Sequence, residues 1–159
     1  MSKAQQFSLT EALQHLTEQS NNQVWDLLDK ENRSGQEEEM LLAANASLYL
    51  WKQVGTAVHA QRGSWLLSRV HTVQGQSIDA LKWAQKCREI TDNNPDEMED
   101  FDLAFAQEAL ARAYALAGDL GLANKHRVQA AELGEQIQDP EDQQIFLSDF
   151  QGGNWFQLD

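Results

Sequence analysis

"LARAYALAGDLGLANKHRVQAAELG", residues 110–134, reads as two helical runs joined at "AGDLG", and a looser version, "LSRVHTVQGQSIDALKWAQKCREIT", occupies residues 67–91. Placing Gly75 on Gly118 sets the register. Ala80 then meets Ala123, Cys87 meets Ala130, Ile90 meets Leu133, Arg69 meets Arg112 and His71 meets Tyr114. Small residues at 80, 87, 123 and 130 let two helices approach closely, while Leu66, Val70, Leu110 and Leu133 fill the remaining space. The repeated pattern is therefore a packing code.

Outward from this register, helices are expected near 8–19, 22–31, 36–60, 63–74, 77–92, 96–117, 120–138 and 140–150. Gly35, Gly75 and Gly118 each precede a helix-forming run, as glycines do where one helix ends and an antiparallel partner begins. Gly55 in "QVG" is a place where 36–60 can divide, because glycine weakens a helix interior by about 1 kcal/mol relative to alanine. The two prolines sit in "DNNPDEMED" and "QDPEDQ". There Asn94 or Asp139 would cap, proline would occupy the first turn, and the following acids would complement the positive helix end. No alternation of strand length persists, so the expected fold class is all-α.

In these residues the chain resembles the tetratricopeptide repeat family. "ALARAYALAGDLGLANKHRVQAAEL" is the better match and "LLSRVHTVQGQSIDALKWAQKCREI" the looser one, together spanning roughly residues 55–138. The resemblance implies stacked antiparallel helical hairpins in a right-handed α-α superhelix, used as a scaffold for a peptide or protein. The glycine-to-glycine spacing of 43 exceeds the usual period of 34, so helices or connections must be extended. Ser68 and Ala111 stand at the small early position of the first helix, while Ala84 and Arg127 replace large apolar residues. A third copy aligns through Gly35 around "GQEEEMLLAANASLYL". "RGSWLLSRV" and "DFDLAFAQEALARAYALAGD" are also similar to segments of a group of uncharacterised bacterial helical proteins, a likeness that implies no activity.

The 159 residues suit one helical repeat domain. Its parts would be divergent N-terminal helices over 8–54, two repeat-like helix pairs over 55–138, and a capping helix and tail over 139–159. Twenty-five acids against 12 Lys and Arg give a net charge of −13, which argues against nonspecific binding to nucleic acid or anionic membrane. A single cysteine excludes an intramolecular disulfide and fits a reducing compartment. "MSKAQQFSLTEALQHL" lacks the apolar core of a signal peptide, and no stretch reaches the length of a membrane span. The expected location is the cytoplasm.

The candidate binding surface lies on the first helix of each pair. His59, Arg62, Trp65 and Arg69 are spaced to share one helical face, and their repeat counterparts are Asp102, Phe105, Glu108 and Arg112. In the resembling family these helices line the concave surface, which would set the two rows side by side. Arginine can take a carboxylate through two parallel hydrogen bonds, and Trp or Phe can hold an apolar segment beside it. An anionic peptide segment is the natural partner. On a structural reading of the same residues, Arg69 pairs with Glu108, Arg62 with Asp102, and Trp65 covers the core. A small-ligand pocket, or an unrecognised enzyme, on this face is the alternative function.

Other groups carry less. His15, His59, His71 and His126 show no metal-ligand spacing, and no metal site or cofactor is expected. Cys87 reads as a packed small residue, the acids of "DNNPDEMEDFD" as a solvated helix start, and the glycines as no phosphate loop. Tyr49 and Trp51 either frame one end of the groove or belong to the core. Residues 140–150 would cap the array. In "IFLSDFQGGNWFQLD", Phe146, Phe150, Trp155 and Phe156 surround a Gly-Gly hinge. The tail "NWFQLD" would pack on its own chain, enter the groove or join a second copy in a homodimer.

Overall fold

The computed structural model describes residues 6–158. The first five residues of the N-terminal stretch and the last residue of the tail, Asp159, lie outside them. Among the described residues there are seven α-helices and no strand: α1 Leu9–Leu28, α2 Glu37–Val54, α3 Ala57–Val73, α4 Ser77–Asn93, α5 Asp100–Ala117, α6 Leu120–Glu135 and α7 Pro140–Gln151. The all-α expectation holds. Consecutive helices pack as three antiparallel hairpins, α1/α2, α3/α4 and α5/α6, with α7 against the third, and none is long and apolar enough to cross a membrane.

The hairpin glycines explain the repeat. Gly35, Gly75 and Gly118 all adopt left-handed backbone, with φ of 81°, 74° and 85°. Side-chain-bearing residues rarely adopt this conformation, so glycine marks the reversal in each hairpin, close behind α3 and α5 and just ahead of α2. The long period is taken up by α4 and α5, of 17 and 18 residues, and by a single 3-10 turn at Pro95–Glu97 between them.

Three sequence-based boundaries need correction. Residues 9–28 form one helix: the "SNN" run stays helical, and the Ser20 hydroxyl donates back to the Leu16 carbonyl at 2.8 Å rather than ending it. Gly55 does end α2, in extended backbone. Gly63, by contrast, lies inside α3 and marks no boundary: a Cβ there would stand 2.9 Å from Leu48 Cδ1, so it is the point where α2 and α3 touch. Asn94 is not the N-cap of a long helix but the C-cap of α4. Its amide donates to the Ile90 carbonyl, and α5 starts later, at Asp100, with a capping box made by Glu99 and Asp102. At the second proline the expected cap forms, Asp139 accepting from the Glu141 and Asp142 amides at 2.9 and 3.0 Å.

Small residues bring the hairpins together. Ala80, Ala84, Cys87, Ala123 and Ala130 are fully buried, and the Ser68 hydroxyl donates across the second hairpin to the Ala80 carbonyl at 2.9 Å. The main core runs through Val24, Met40, Leu48, Leu66, Leu67 and Val70 into α5. A second cluster, centred on Phe146 of α7, fastens that helix to the third hairpin. Gly134 permits it, because a Cβ there would collide with the Phe146 ring.

Candidate binding groove

Helices α3 and α5 lie side by side, so the two rows of candidate residues face each other. Arg62 grips Asp102 with two bonds, Nε to Oδ1 at 2.8 Å and Nη2 to Oδ2 at 3.0 Å. Asp102 is buried while Arg62 remains half exposed. His59 stands apart, stacked on Trp51 at 4.1 Å, with its Nδ1 accepting from the Thr56 amide at 3.1 Å. Burial first, and then the Arg62 charge, hold its pKa below the ordinary histidine value. Tyr49 is exposed to solvent.

Nearly two helical turns further along α5, Glu108 is buried and receives three donors. Trp65 Nε1 donates to its Oε2 at 2.9 Å, while Arg69 Nη1, at 3.0 Å, and Arg112 Nε share its Oε1. Phe105 packs edge-on against both Trp65 and Phe146, filling the gap between the two ionic clusters. The aligned arginines thus converge on a single carboxylate.

The rest of the Arg112 guanidinium is taken by the chain's own C-terminal segment. Its Nη1 donates to the Asn154 carbonyl at 3.1 Å, and its Nη2 to those of Asp149 and Gly152 at 2.9 and 3.0 Å. Residues 152–158, hereafter the strap, then fold over it. The Trp155 indole lies 4.1 Å from Arg112 Cζ and 4.5 Å from Arg127 Cζ, a cation–π arrangement with two guanidinium groups. Trp155 Nε1 donates to the Phe150 carbonyl, and Arg127 Nη1 to that of Leu158. Of the three placements open to the tail, the structure shows it on its own chain and in the groove together.

Gly153 has φ 73°, and a Cβ on it would sit 2.9 Å from Arg112 Nη1 and 3.3 Å from Arg69 Nη2. Glycine is required there because the backbone lies against two guanidinium groups. Phe156 has φ 58°, a strained conformation for a residue with a side chain. Asp149 closes the network: Oδ1 accepts from Arg69 Nη2 at 3.1 Å, and Oδ2 is buried without a hydrogen-bond partner. Burial, with the Glu108 charge behind it, pushes the Asp149 pKa up against the pull of Arg69 and Arg112. Burial likewise lowers the Arg112 pKa, opposed by Glu108.

Above this network a cleft of about 360 Å³ opens between the C-terminal end of α1 and the strap. Trp25, Arg33, Arg69, Thr72, Asp149 and Phe156 line it. Trp25 stacks on Trp65 at 5.5 Å and keeps a partly exposed face, and an apolar recess beyond Asp149, lined by Phe105 and Ile145, extends the cleft. Arg33 donates through Nη1 to the Leu28 and Lys30 carbonyls and forms no ion pair among the described residues. Neither Trp25 nor Arg33 was found from the pairwise repeat. Trp25 had a signal all the same: aligning Gly35 with Gly75 places it on Trp65. Arg33 lies in the first hairpin loop, outside any periodic pattern.

Chemically the groove offers paired charges and aromatic faces rather than a free nucleophile and base. Cys87 is buried, which pushes its thiol pKa up, and no group of three His, Cys, Asp or Glu among the described residues is placed to hold a metal ion. No family model, curated protein or solved structure matches the chain.

Proposed function

We propose that the chain is a non-catalytic interaction scaffold of the tetratricopeptide type, taking a polypeptide segment with an acidic side chain in the cleft between α1 and the strap. The observation that carries this reading is the pairing inside the cleft of a partly exposed indole, Trp25, with a guanidinium, Arg33, that has no carboxylate of its own. An apolar side chain would lie on the indole, and a carboxylate would reach the free edge of Arg33. Arg62, Arg69 and Arg112 support the groove from below, since each is already committed to a partner in the chain. That mutual neutralisation also favours a scaffold over an enzyme, which needs an uncommitted acid, base or nucleophile. The lone buried cysteine and the acid excess support a cytoplasmic setting without nucleic-acid partners.

The cavity volume favours a second reading, a small anionic ligand in the same place, because about 300 Å³ is where such sites begin. Selection from a displayed library of random short peptides separates the two. Enriched sequences should pair an acidic with an apolar residue. Their binding should fall about 10- to 100-fold in Arg33→Ala, equivalent to ~1.5–3 kcal/mol for a charge-assisted contact. Helicity should be unchanged. No enrichment, or equal binding to Arg33→Ala, refutes the peptide reading.

A further inference from the structure

We infer that the strap is an internal ligand: it occupies the seat built by Arg112 and Arg127 as a partner segment would, and yields it to a segment that brings an indole and main-chain carbonyls. This rests on the groove being a polypeptide site, and it names the chemistry of the segment.

The seat exists independently of the strap. Glu108 on α5 fixes Arg69 of α3 and Arg112 of α5, while Arg127 stands on α6. Without the strap, Arg69 keeps Glu108 and, from α7, Asp149, whereas Arg112 and Arg127 lose the Gly152, Asn154 and Leu158 carbonyls. The missing apolar body is the Trp155 indole, which fills the space beside Arg112 and Arg127 and is itself buried. Everything else Arg112 takes from the segment is main-chain carbonyl, which any polypeptide can offer.

The strap also holds its place at a disadvantage. It has one 3-10 turn over Phe156–Leu158, and Gly153, Asn154 and Gln157 are exposed. Phe156 is strained. A segment arriving from another molecule can supply the same indole without a residue held in that left-handed conformation. The closed strap lowers the apparent affinity for that segment by the fraction of time the seat is open.

The test uses Gly153→Ala in the full chain, which puts a side chain on left-handed backbone and a methyl against the Arg112 and Arg69 guanidinium groups, and so disfavours the closed strap. The probe is a labelled peptide of residues 148–158, SDFQGGNWFQL, followed by fluorescence anisotropy. Gly153→Ala should bind it about tenfold or more tightly than the unmodified chain. A peptide with Ala in place of its Trp should not bind. In hydrogen exchange, the amides of residues 152–158 in the unmodified chain should exchange far faster than those of α5. Trp155→Ala, which empties the seat from the strap side, should match Gly153→Ala in peptide binding while keeping the helical spectrum. Strap amides as slow as those of α5, or equal peptide affinity in all three helical proteins, overturns the inference. A permanently closed strap leaves the library peptides and their dependence on Arg33 untouched, so the two readings fail separately.

Discussion

Glu108→Gln and Asp149→Asn remove the same charge from the same network with nearly the same atoms, yet their costs should differ severalfold. Glu108 is 1% exposed and accepts from Trp65, Arg69 and Arg112. An amide has one acceptor oxygen. If that oxygen serves the two arginines, its NH2 faces the Trp65 N–H, donor against donor, and Arg112 loses its closest counter-charge inside the protein. Breaking a buried pair from one side costs about 3–5 kcal/mol, a large part of a typical domain stability of about 5–15 kcal/mol. Asp149 is 24% exposed at its side chain, has one oxygen unpaired, and is already disfavoured in its ionised form by burial. Its neutral amide keeps a carbonyl for Arg69, and the change should stay within about 1 kcal/mol, the range of solvent-screened pairs. Urea titrations followed by circular dichroism measure both, and parallel slopes would show that the unfolding reaction is unchanged. Equal midpoint shifts, or a larger one for Asp149→Asn, would refute the assignment of Glu108 as the centre of the network.

Two glycines of α6 provide a matched comparison. Gly134→Ala gains about 1 kcal/mol of helix propensity but drives a methyl into the Phe146 ring, at about 1–3 kcal/mol, so it should melt lower. Gly121→Ala meets only Asp119 Oδ1 at 3.7 Å and should melt higher, and the reverse order would contradict the packing of α7. Ala123→Leu, at a fully buried position of the third hairpin, should lose about 1–3 kcal/mol to overpacking, and an unchanged melting curve would count against that interface. On pH, the raised Asp149 pKa means that its proton favours the folded state. That contribution is complete below the ordinary aspartate range and is lost as pH rises through the raised folded value. Relative to the unmodified chain, Asp149→Asn should therefore gain melting temperature across that window, and a loss there would reverse the sign. The His126 pKa is lowered by burial first, then by Lys125 and Arg88. It supplies stability above the ordinary histidine value that fades as pH falls through the lowered one, so His126→Gln should flatten that part of the acid limb.

Residues 67–91 and 110–134 revealed the hairpins because the requirements there are local: a left-handed glycine, small residues at the contact, apolar neighbours around them. Gly63 was misread for the complementary reason. Its role, admitting Leu48, depends on a neighbour in another helix, and a glycine inside a helix looks in sequence like a glycine after one. The ion pairs Arg62–Asp102 and Arg69–Glu108 followed from the same repeat register, since equivalent positions on adjacent first helices become neighbours. Asp149 and Trp155 belong to no repeat, and nothing in "SDFQGGNW" says which buried cation its carbonyls will meet. Local periodicity also says nothing of Arg33, whose significance comes from what it leaves unpaired.

The dependence of Arg112 on carbonyls far along the chain has a consequence for how the protein is made. The segment from Arg112 to Asp149 spans 37 positions, which at ~5–20 residues per second take about 2–7 s to synthesise. During that interval a ribosome-bound chain can assemble its first two hairpins, and α5 can pair Arg112 with Glu108, but the other guanidinium edge must stay in water. Completion of the bonding around that arginine therefore waits for α7 and the strap, which gives the nascent protein an order of assembly in which the three hairpins precede their cover.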